Sequence, residues 1–411
     1  MQVTSAAFTS VSAPLSLRPL TCGLLRASNA SSKRFRALAI GSMLFVAAAA
    51  HAESGGLIKL AVSEPLSGVN AYYGQQARLG TDLAIMEANA KGGIHGRKIV
   101  ADYADNMCNP AEGVRTATQM LSSNQYTALL DGGCSSVALA MMPLAQRSSI
   151  PFVVANPSAT SIADLSGVGG NKWTFKVNPS DATMLASLVD WLIKNGNTDR
   201  VAFLGENTDY GRGGAKALSD LLAAHGKKML SPEYFEKGAT DFSTVFARIK
   251  SENPTQLAIF AIGADTANLM LQWHDIGGGV PLTGRIQLEQ IPKQIIGSAA
   301  FKDLSTVQPW DPSVSLPANQ AFIASFQQFA KAAPTVNAWD SYEATRTVLA
   351  AIDKAGPDAT PSKVRDALDS IQVPAMLGGM IGFDAHHLAH INAVVLTIKD
   401  GKVVVLGLNK T

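Results

Sequence analysis

Residues 126–139 read Tyr126-Thr127-Ala128-Leu129-Leu130-Asp131-Gly132-Gly133-Cys134-Ser135-Ser136-Val137-Ala138-Leu139, and the fold is decided here. A short apolar run from Tyr126 to Leu130 has the length and composition of a buried strand, two glycines turn the chain, and helical apolar spacing begins at Val137. A strand that passes at once into a helix is the repeating unit of a parallel sheet covered by helices.

The unit recurs on both sides. Upstream, Ile58 to Val62 is a strand, a helix runs from about Gly74, Lys98 to Tyr103 is a strand, and a helix runs from about Ala111. In the first of these helices Leu79, Leu83, Met86 and Ala90 form an apolar stripe, ended by Lys91-Gly92-Gly93. Downstream, Pro151 to Ala155 closes the series. A second series opens at Ser180-Asp181, a capping pair, with Leu185, Leu188 and Leu192 turned inward and Gly196 at the helix end. It continues through Arg200 to Leu204, a helix from Gly211, a helix from Phe242, Gln256 to Ile262, and a helix from Asp265.

After Pro309 the alternation stops. Helices are expected around Phe322 to Ala332 and Trp339 to Ala355, then a hairpin of Ala393 to Ile398 and Val403 to Leu406 turning at Asp400-Gly401. These segments return to complete the earlier units. The expected class is therefore α/β, two Rossmann-like lobes with parallel-type sheets. Residues 53–175 with 307–380 make the N-terminal lobe, and 176–306 with 381–411 the C-terminal lobe.

At 411 residues, 47% hydrophobic and 16% charged, the chain can fill two cores. Residues 1–52 are of another kind. They carry Arg18, Arg26, Lys33, Arg34 and Arg36 and no acid, and end in an apolar run from Ala37 to Ala50 before the small-x-small site Ala50-His51-Ala52. That is a secretory signal with an extended leader, expected to be cleaved after Ala52, which places the mature protein in the periplasm. The apolar run is too short to span a bilayer, and no later run approaches the roughly twenty residues needed.

Without the leader, 34 − 5 = 29 bases face 32 acids, a formal charge of −3. No nucleic-acid partner is expected of such a balance. Cys22 leaves with the leader, and Cys108 with Cys134 reads as a disulfide in an exported chain.

Ligands of open parallel sheets bind beyond the carboxyl ends of the strands. There stand Gly132-Gly133, Ser135 and Ser136, where glycines let backbone approach, hydroxyls donate, and free N–H groups at a helix start attract an anion. The next strand ends in Asn156-Pro157-Ser158-Ala159-Thr160, again rich in hydroxyls. Tyr72 and Tyr73 follow the first strand, and Asn207-Thr208-Asp209-Tyr210 and Ala261 to Asp265 occupy the same edge of the second unit. The pattern suits a carboxylate. No nucleophile elbow, His-Glu-x-x-His, P-loop or Cys-x-x-Cys occurs in the mature chain. His386-His387-x-x-His390 has metal-like spacing but reads as a solvated turn, and Asp102 with Asp105 reads as structural. Neither catalysis, a cofactor nor a metal is expected.

In order and spacing, Ser67-Gly68, Tyr73-Gly74, Asn89-Ala90-Lys91-Gly92-Gly93-Ile94 with Gly96, Asp105 and Cys108, Cys134-Ser135-Ser136, Pro157-Ser158-Ala159-Thr160, Tyr210-Gly211 and Asp241-Phe242-Ser243 resemble the leucine/isoleucine/valine-binding type I periplasmic binding proteins. The resemblance covers almost the whole mature chain. It implies two lobes joined by a three-crossing hinge, acting as a monomer that delivers a solute to an ABC permease in the inner membrane.

The resemblance also implies a Cys108 to Cys134 disulfide. Ser135, the Ser158 backbone and Thr160 would hold the ligand carboxylate, Tyr73 would flank its side chain, and Tyr210 would close from the far lobe. One departure bears on the ligand. Where the family commonly has an acid for the ligand ammonium, this chain has Arg285, and an aromatic position beyond Phe260 is Gly263 or Ala264. An Arg cannot neutralise an ammonium, which points to a solute without one: a solute with a second anionic group, or an aromatic acid that stacks on Arg285 or Tyr73. A ligand-sensing receptor domain would share every one of these features, and an exported amide hydrolase would require turnover.

Overall fold

The computed structural model describes residues 56–196 and 198–410. The leader and its cleavage site lie outside the described residues.

The first series is β1 (Ile58–Glu64), α1 (Ala71–Ala90), β2 (Ile99–Asp105), α2 (Pro110–Leu121), β3 (Ala128–Asp131), α3 (Ser135–Arg147), β4 (Phe152–Val154), α4 (Thr160–Asp164) and β5 (Thr174–Lys176). Its strands form one parallel sheet in the order β2-β1-β3-β4-β5. Every residue of β3 and β4 is buried, as it must be when helices cover both faces. The strand order switches direction between β1 and β3, and a crevice opens beyond their carboxyl ends.

The second series is α5 (Asp181–Asn195), β6 (Val201–Glu206), α6 (Asp209–Ala224), β7 (Glu233–Phe235), α7 (Ser243–Ser251), β8 (Gln256–Phe260), α8 (Ala264–Asp275), β9 (Leu282–Arg285) and β10 (Ser305–Gln308). Here β7-β6-β8-β9 is a parallel sheet. Side chains join β10 to its edge: the Thr306 hydroxyl accepts from Ile286 N (2.8 Å) and donates to Gly284 O (3.0 Å). The Ser180 hydroxyl caps α5 by accepting from Thr183 N, and Gly196 ends it, as the sequence requires.

The return comprises α9 (Pro317–Ala330), α10 (Val336–Ala355), α11 (Pro361–Leu368), the short pair β11 (Val373–Pro374) and β12 (Met380–Ile381), then β13 (Asn392–Lys399) and β14 (Lys402–Lys410). Strands β10-β13-β14 are antiparallel. Asp400 and Gly401 at the tip both have positive φ (52° and 70°), the conformation that a two-residue hairpin with native twist demands.

Helix α10 lies on α1, and its first turn reaches the crevice. The contact depends on Gly80, where a Cβ would stand 2.0 Å from the Ala338 carbonyl oxygen. The buried face of α1 is Tyr73, Ala77, Gly80 and Ala84 with Leu83. The expected stripe is thus rotated: Met86 and Ala90 are exposed, because the face that must approach another helix closely is the one with the small residues.

Three crossings join the two series, at residues 177–180, 309–316 and 382–391. The third is tied to the end of β5, from which the first departs: Lys176 N donates to His387 O (2.8 Å) and Ala389 N to Lys176 O (2.9 Å). His387 is not solvated as the sequence suggested; its ring stacks on Phe175 at 4.1 Å, and Nδ1 lies 2.9 Å from Thr174 O. His390 pairs with Asp384. Among the described residues no helix is long and apolar enough to cross a membrane, and no group of three His, Cys, Asp or Glu could hold a metal.

Candidate functional site

The crevice takes its walls from both sheets. Pro65 after β1, Gly133 to Ser135 after β3 and Asn156 to Ser158 after β4 come from the first. Tyr210, Ala261, Ile262, Arg285 and Gln287 come from the second, while Gln308 ends β10, Pro309 starts a crossing and Val336, Asn337 and Asp340 belong to α10. Its volume is about 60 Å3. On the same measure one water needs roughly 10–15 Å3, so the cavity suits a solute of modest size.

The donor end is built by the turn after β3. Asp131, Gly132 and Gly133 all have positive φ (74°, 98°, 66°), which swings the chain directly into α3. The residue before the helix is Cys134, which makes no side-chain cap. The first N–H groups of α3, which starts at the cavity wall, therefore have no side-chain capping acceptor. The Ser135 hydroxyl accepts from Ala159 N (3.2 Å), so its own proton remains to donate. Non-glycine Asp131 is held in its left-handed conformation by accepting from Asn156 N (3.0 Å), Asn156 Nδ2 (2.5 Å) and Ser341 Oγ (3.1 Å).

Of the residues singled out in the sequence, Tyr73, Ser135, Ser158, Tyr210 and Arg285 line the cavity. Ser136, Ala159 and Thr160 do not. Ala159 is fully buried, and the Thr160 hydroxyl accepts from Ala182 N (3.0 Å), at the first turn of α5. Cys108 and Cys134 are paired, their Cα atoms 5.6 Å apart. Arg285 reaches the cavity but is not free: Nε donates to Asp181 Oδ1 (3.2 Å) and Nη1 to Val307 O (2.7 Å).

Beneath this wall runs a buried charge cluster that sequence reasoning missed. Lys176 Nζ donates to Pro157 O (2.6 Å) and Asn178 Oδ1 (2.5 Å). Burial pulls its ammonium down to about 7, against the attraction of Asp181 and Asp340. Burial pushes Asp181 up to about 6, with Arg285 opposing. Burial also raises Asp340 well above its ordinary value, with Lys176 opposing. Lys176 ends a strand of three residues, too short to give a signal in the sequence, and Asp340 was hidden in helical periodicity.

The family model described as periplasmic binding protein matches residues 57–402. This chain belongs to the periplasmic binding protein family. A Leu/Ile/Val-binding protein of Rhizobium johnstonii is 28% identical over 348 residues, covering 84% of this chain and 91% of that protein. A solute binding protein of an ABC transporter from R. palustris, solved in complex with benzoate, superposes with TM-score 0.76 at 22% identity over 87% of this chain and 98% of that one. A branched-chain amino acid transporter substrate binding protein from Streptococcus pneumoniae, solved with isoleucine, gives TM-score 0.76 at 20% identity over 86% and 100%.

The buried acids of this periplasmic binding protein give its stability a pH dependence. Burial pushes Glu206, whose carboxylate accepts from Ile262 N (2.9 Å), up to about 8, and Glu289 up to about 7. Groups whose pKa is raised by folding stabilise fully below the unfolded value and lose that contribution as pH rises through the folded one. Stability is expected to fall between about pH 4.5 and 8. Lys176 works oppositely only above about 7. Thermal melts at pH 5 and pH 8 check this: the midpoint should be lower at pH 8, and Glu206→Gln should shrink the difference.

Proposed function

We propose that the protein is the substrate-binding component of an ABC-type uptake transporter, which closes two lobes on a small carboxylate-bearing solute and delivers it chemically unchanged to an inner-membrane permease. The observation that carries this is the donor end of the cavity, where the uncapped start of α3 and the Ser135 hydroxyl converge between the carboxyl ends of two sheets. Backbone N–H groups at a helix start, with the positive end of its dipole, are a ready anion site.

The relatives support the carboxylate. Benzoate and isoleucine, held by two proteins of the same fold, have a carboxylate in common and little else. On this reading an amino acid or a related organic or aromatic acid is the solute. The leader is removed after Ala52, the mature protein works as a periplasmic monomer with Cys108 and Cys134 oxidised, and it needs no cofactor or nucleic acid. The N-terminal lobe takes residues 53–175 with 307–380, and the C-terminal lobe 176–306 with 381–411.

A calorimetric titration with amino acids, aromatic acids and dicarboxylates tests the site. Ser135→Ala should weaken binding of whichever carboxylate binds by about tenfold, since a hydrogen bond to a charged group is worth about 1.5–3 kcal/mol. Ser136→Ala, off the cavity wall, should not. Equal affinities for Ser135→Ala and the parent would remove the α3 end from the account.

A further inference from the structure

The two sheets also meet at the edges that lie furthest from the crossings. In the first sheet the order β2-β1-β3-β4-β5 puts β2 at one edge and β5, from which the first crossing departs, at the other. In the second, β7 is one edge, and β9, beside β10 and the second crossing, is the other. Cys108 lies in the turn after β2 and Lys237 in the turn after β7. Lys237 Nζ donates to Cys108 O (2.9 Å), joining residues 129 apart in the chain. Nearer the crossings, Asn70, before α1, meets Gly263, before α8: a Cβ on Gly263 would stand 2.2 Å from Asn70 Oδ1. Helix α6 meets α3 and α4 as well.

The local structure on each side is built to present these contacts. Met107 and Cys108 are successive non-glycine residues with φ of 53°, a conformation L-residues keep only when their surroundings impose it. Asp105 Oδ1 accepts from Met107 N (2.9 Å), Asn106 Oδ1 accepts from Cys108 N (2.8 Å), and the disulfide holds the Cys108 sulfur. Among the described residues, the hydrogen bond that meets the Cys108 carbonyl comes from Lys237. The same Asp105 carboxylate accepts from Leu66 N (2.9 Å), and Asn70 Nδ2 donates to Cys134 Sγ (3.9 Å), so both contact points of the first side depend on one acid and one disulfide. Asp265 has the matching part on the second side. It is 2% exposed, stands two residues after Gly263, and its Oδ2 accepts from Gly238 N (2.9 Å), next to Lys237. Gly238 and Gly263 both have positive φ (84° and 66°). None of Asp105, Cys108, Lys237 and Asp265 lines the cavity.

We propose that Lys237 and the Cys108 turn form a latch, which holds the two lobes shut at the edge opposite the crossings and sets how long a solute is kept. Lys237 is thus a positioning residue that acts without touching the solute, and the latch goes beyond the reading above because its chemistry is independent of the solute's. Its place gives it leverage. Strands stand about 4.8 Å apart, so four steps put β2 roughly 19 Å from β5, and a rotation of about 10° at the crossings carries the latch through roughly 3 Å, enough to break a hydrogen bond. Apparent affinity scales with the fraction of molecules in the binding-competent form, so a contact that favours the closed form tightens binding of every solute by one common factor.

The test compares Lys237→Met, which keeps the length and loses the donor, with Lys237→Arg, which keeps a donor. Lys227→Met is the control, removing the same charge from a lysine whose bond to Asp199 Oδ1 (2.8 Å) does not reach the first sheet. Calorimetry with leucine, benzoate and succinate gives the affinities, and stopped-flow mixing gives the dissociation rates. For each of the three that binds, Lys237→Met should weaken binding by the same factor, about threefold to tenfold, through faster dissociation. Lys237→Arg should recover most of that loss, and Lys227→Met should bind as the parent does. Unchanged affinity in Lys237→Met, a factor that differs from solute to solute, or an equal fall in Lys227→Met would overturn the latch. Small-angle scattering reads it with no solute present: the parent should be more compact than Lys237→Met, and equal radii of gyration overturn it. A panel in which nothing binds removes the carboxylate reading, and the latch then stands or falls by the scattering.

Discussion

An Asp181→Ala protein is expected to lose about 3–5 kcal/mol of stability, read from the midpoint of urea unfolding. Asp181 is the first residue of α5 and is fully buried; Arg285 at the end of β9 has 11% of its side chain exposed. Removing one partner of such a pair leaves the other charge buried and uncompensated, and that desolvation, more than the lost attraction, sets the size of the effect. Val307 O would remain as the guanidinium's acceptor, but a carbonyl dipole does not offset a full charge.

A double-mutant cycle separates this account from simple loss of packing. If the buried charge is what costs, Asp181→Leu with Arg285→Leu together should destabilise by less than the sum of the two single changes. Additive losses would show that the pair is not coupled. The same substitution carries a consequence for the site. With Asp181 gone, the Arg285 guanidinium on the cavity wall becomes an anion receptor, and the protein should gain affinity for acids without an amine.

That ion pair also marks the limit of what could be read from residues alone. The β3 to α3 turn was legible because its signals are local: an apolar run, two glycines, then helical spacing, with Ser135 at the join. Arg285 was legible as a departure, an Arg where an acid was expected. Its meaning was not, because Asp181 lies 104 residues away and only the packing of α5 on β10, which lies beside β9, brings the two together. Thr160 failed for a related reason. Ala182 N from the next helix claims its hydroxyl, and no spacing within Asn156 to Thr160 reveals that competitor.

Asp340 and Asn337 were missed because helical periodicity treats the start of a long helix as surface or core. Their position is set by Gly80 on α1, which lets the Ala338 backbone come close enough for that turn to enter the cavity. Strands β5, β7 and β10, of three to four residues each, gave no periodic signal long enough to register.

Reducing the Cys108–Cys134 pair should act on the fold and on the ligand at once. The sequence separation is 26 residues, and closing a loop of that size stabilises by roughly 3–4 kcal/mol in the chain-entropy account. Cys108 follows β2 in a left-handed turn with Met107, and Cys134 is the residue from which α3 departs. The link therefore fastens the donor end of the cavity, after β3, to the turn after β2, on the far side of β1. Around it, Cys108 N donates to Asn106 Oδ1 (2.8 Å) and Asn106 Nδ2 to Gly132 O (3.1 Å), so hydrogen bonds alone will keep the turn native-like after reduction. The expected result is a folded but weaker protein. With dithiothreitol, or in Cys108→Ser with Cys134→Ser, urea unfolding should shift by roughly 3–4 kcal/mol and solute affinity should fall severalfold as the α3 donors lose their anchor. If the oxidised and reduced forms unfold at the same urea concentration, the link contributes nothing to stability. If they bind the solute equally, α3 is held in place by its packing alone.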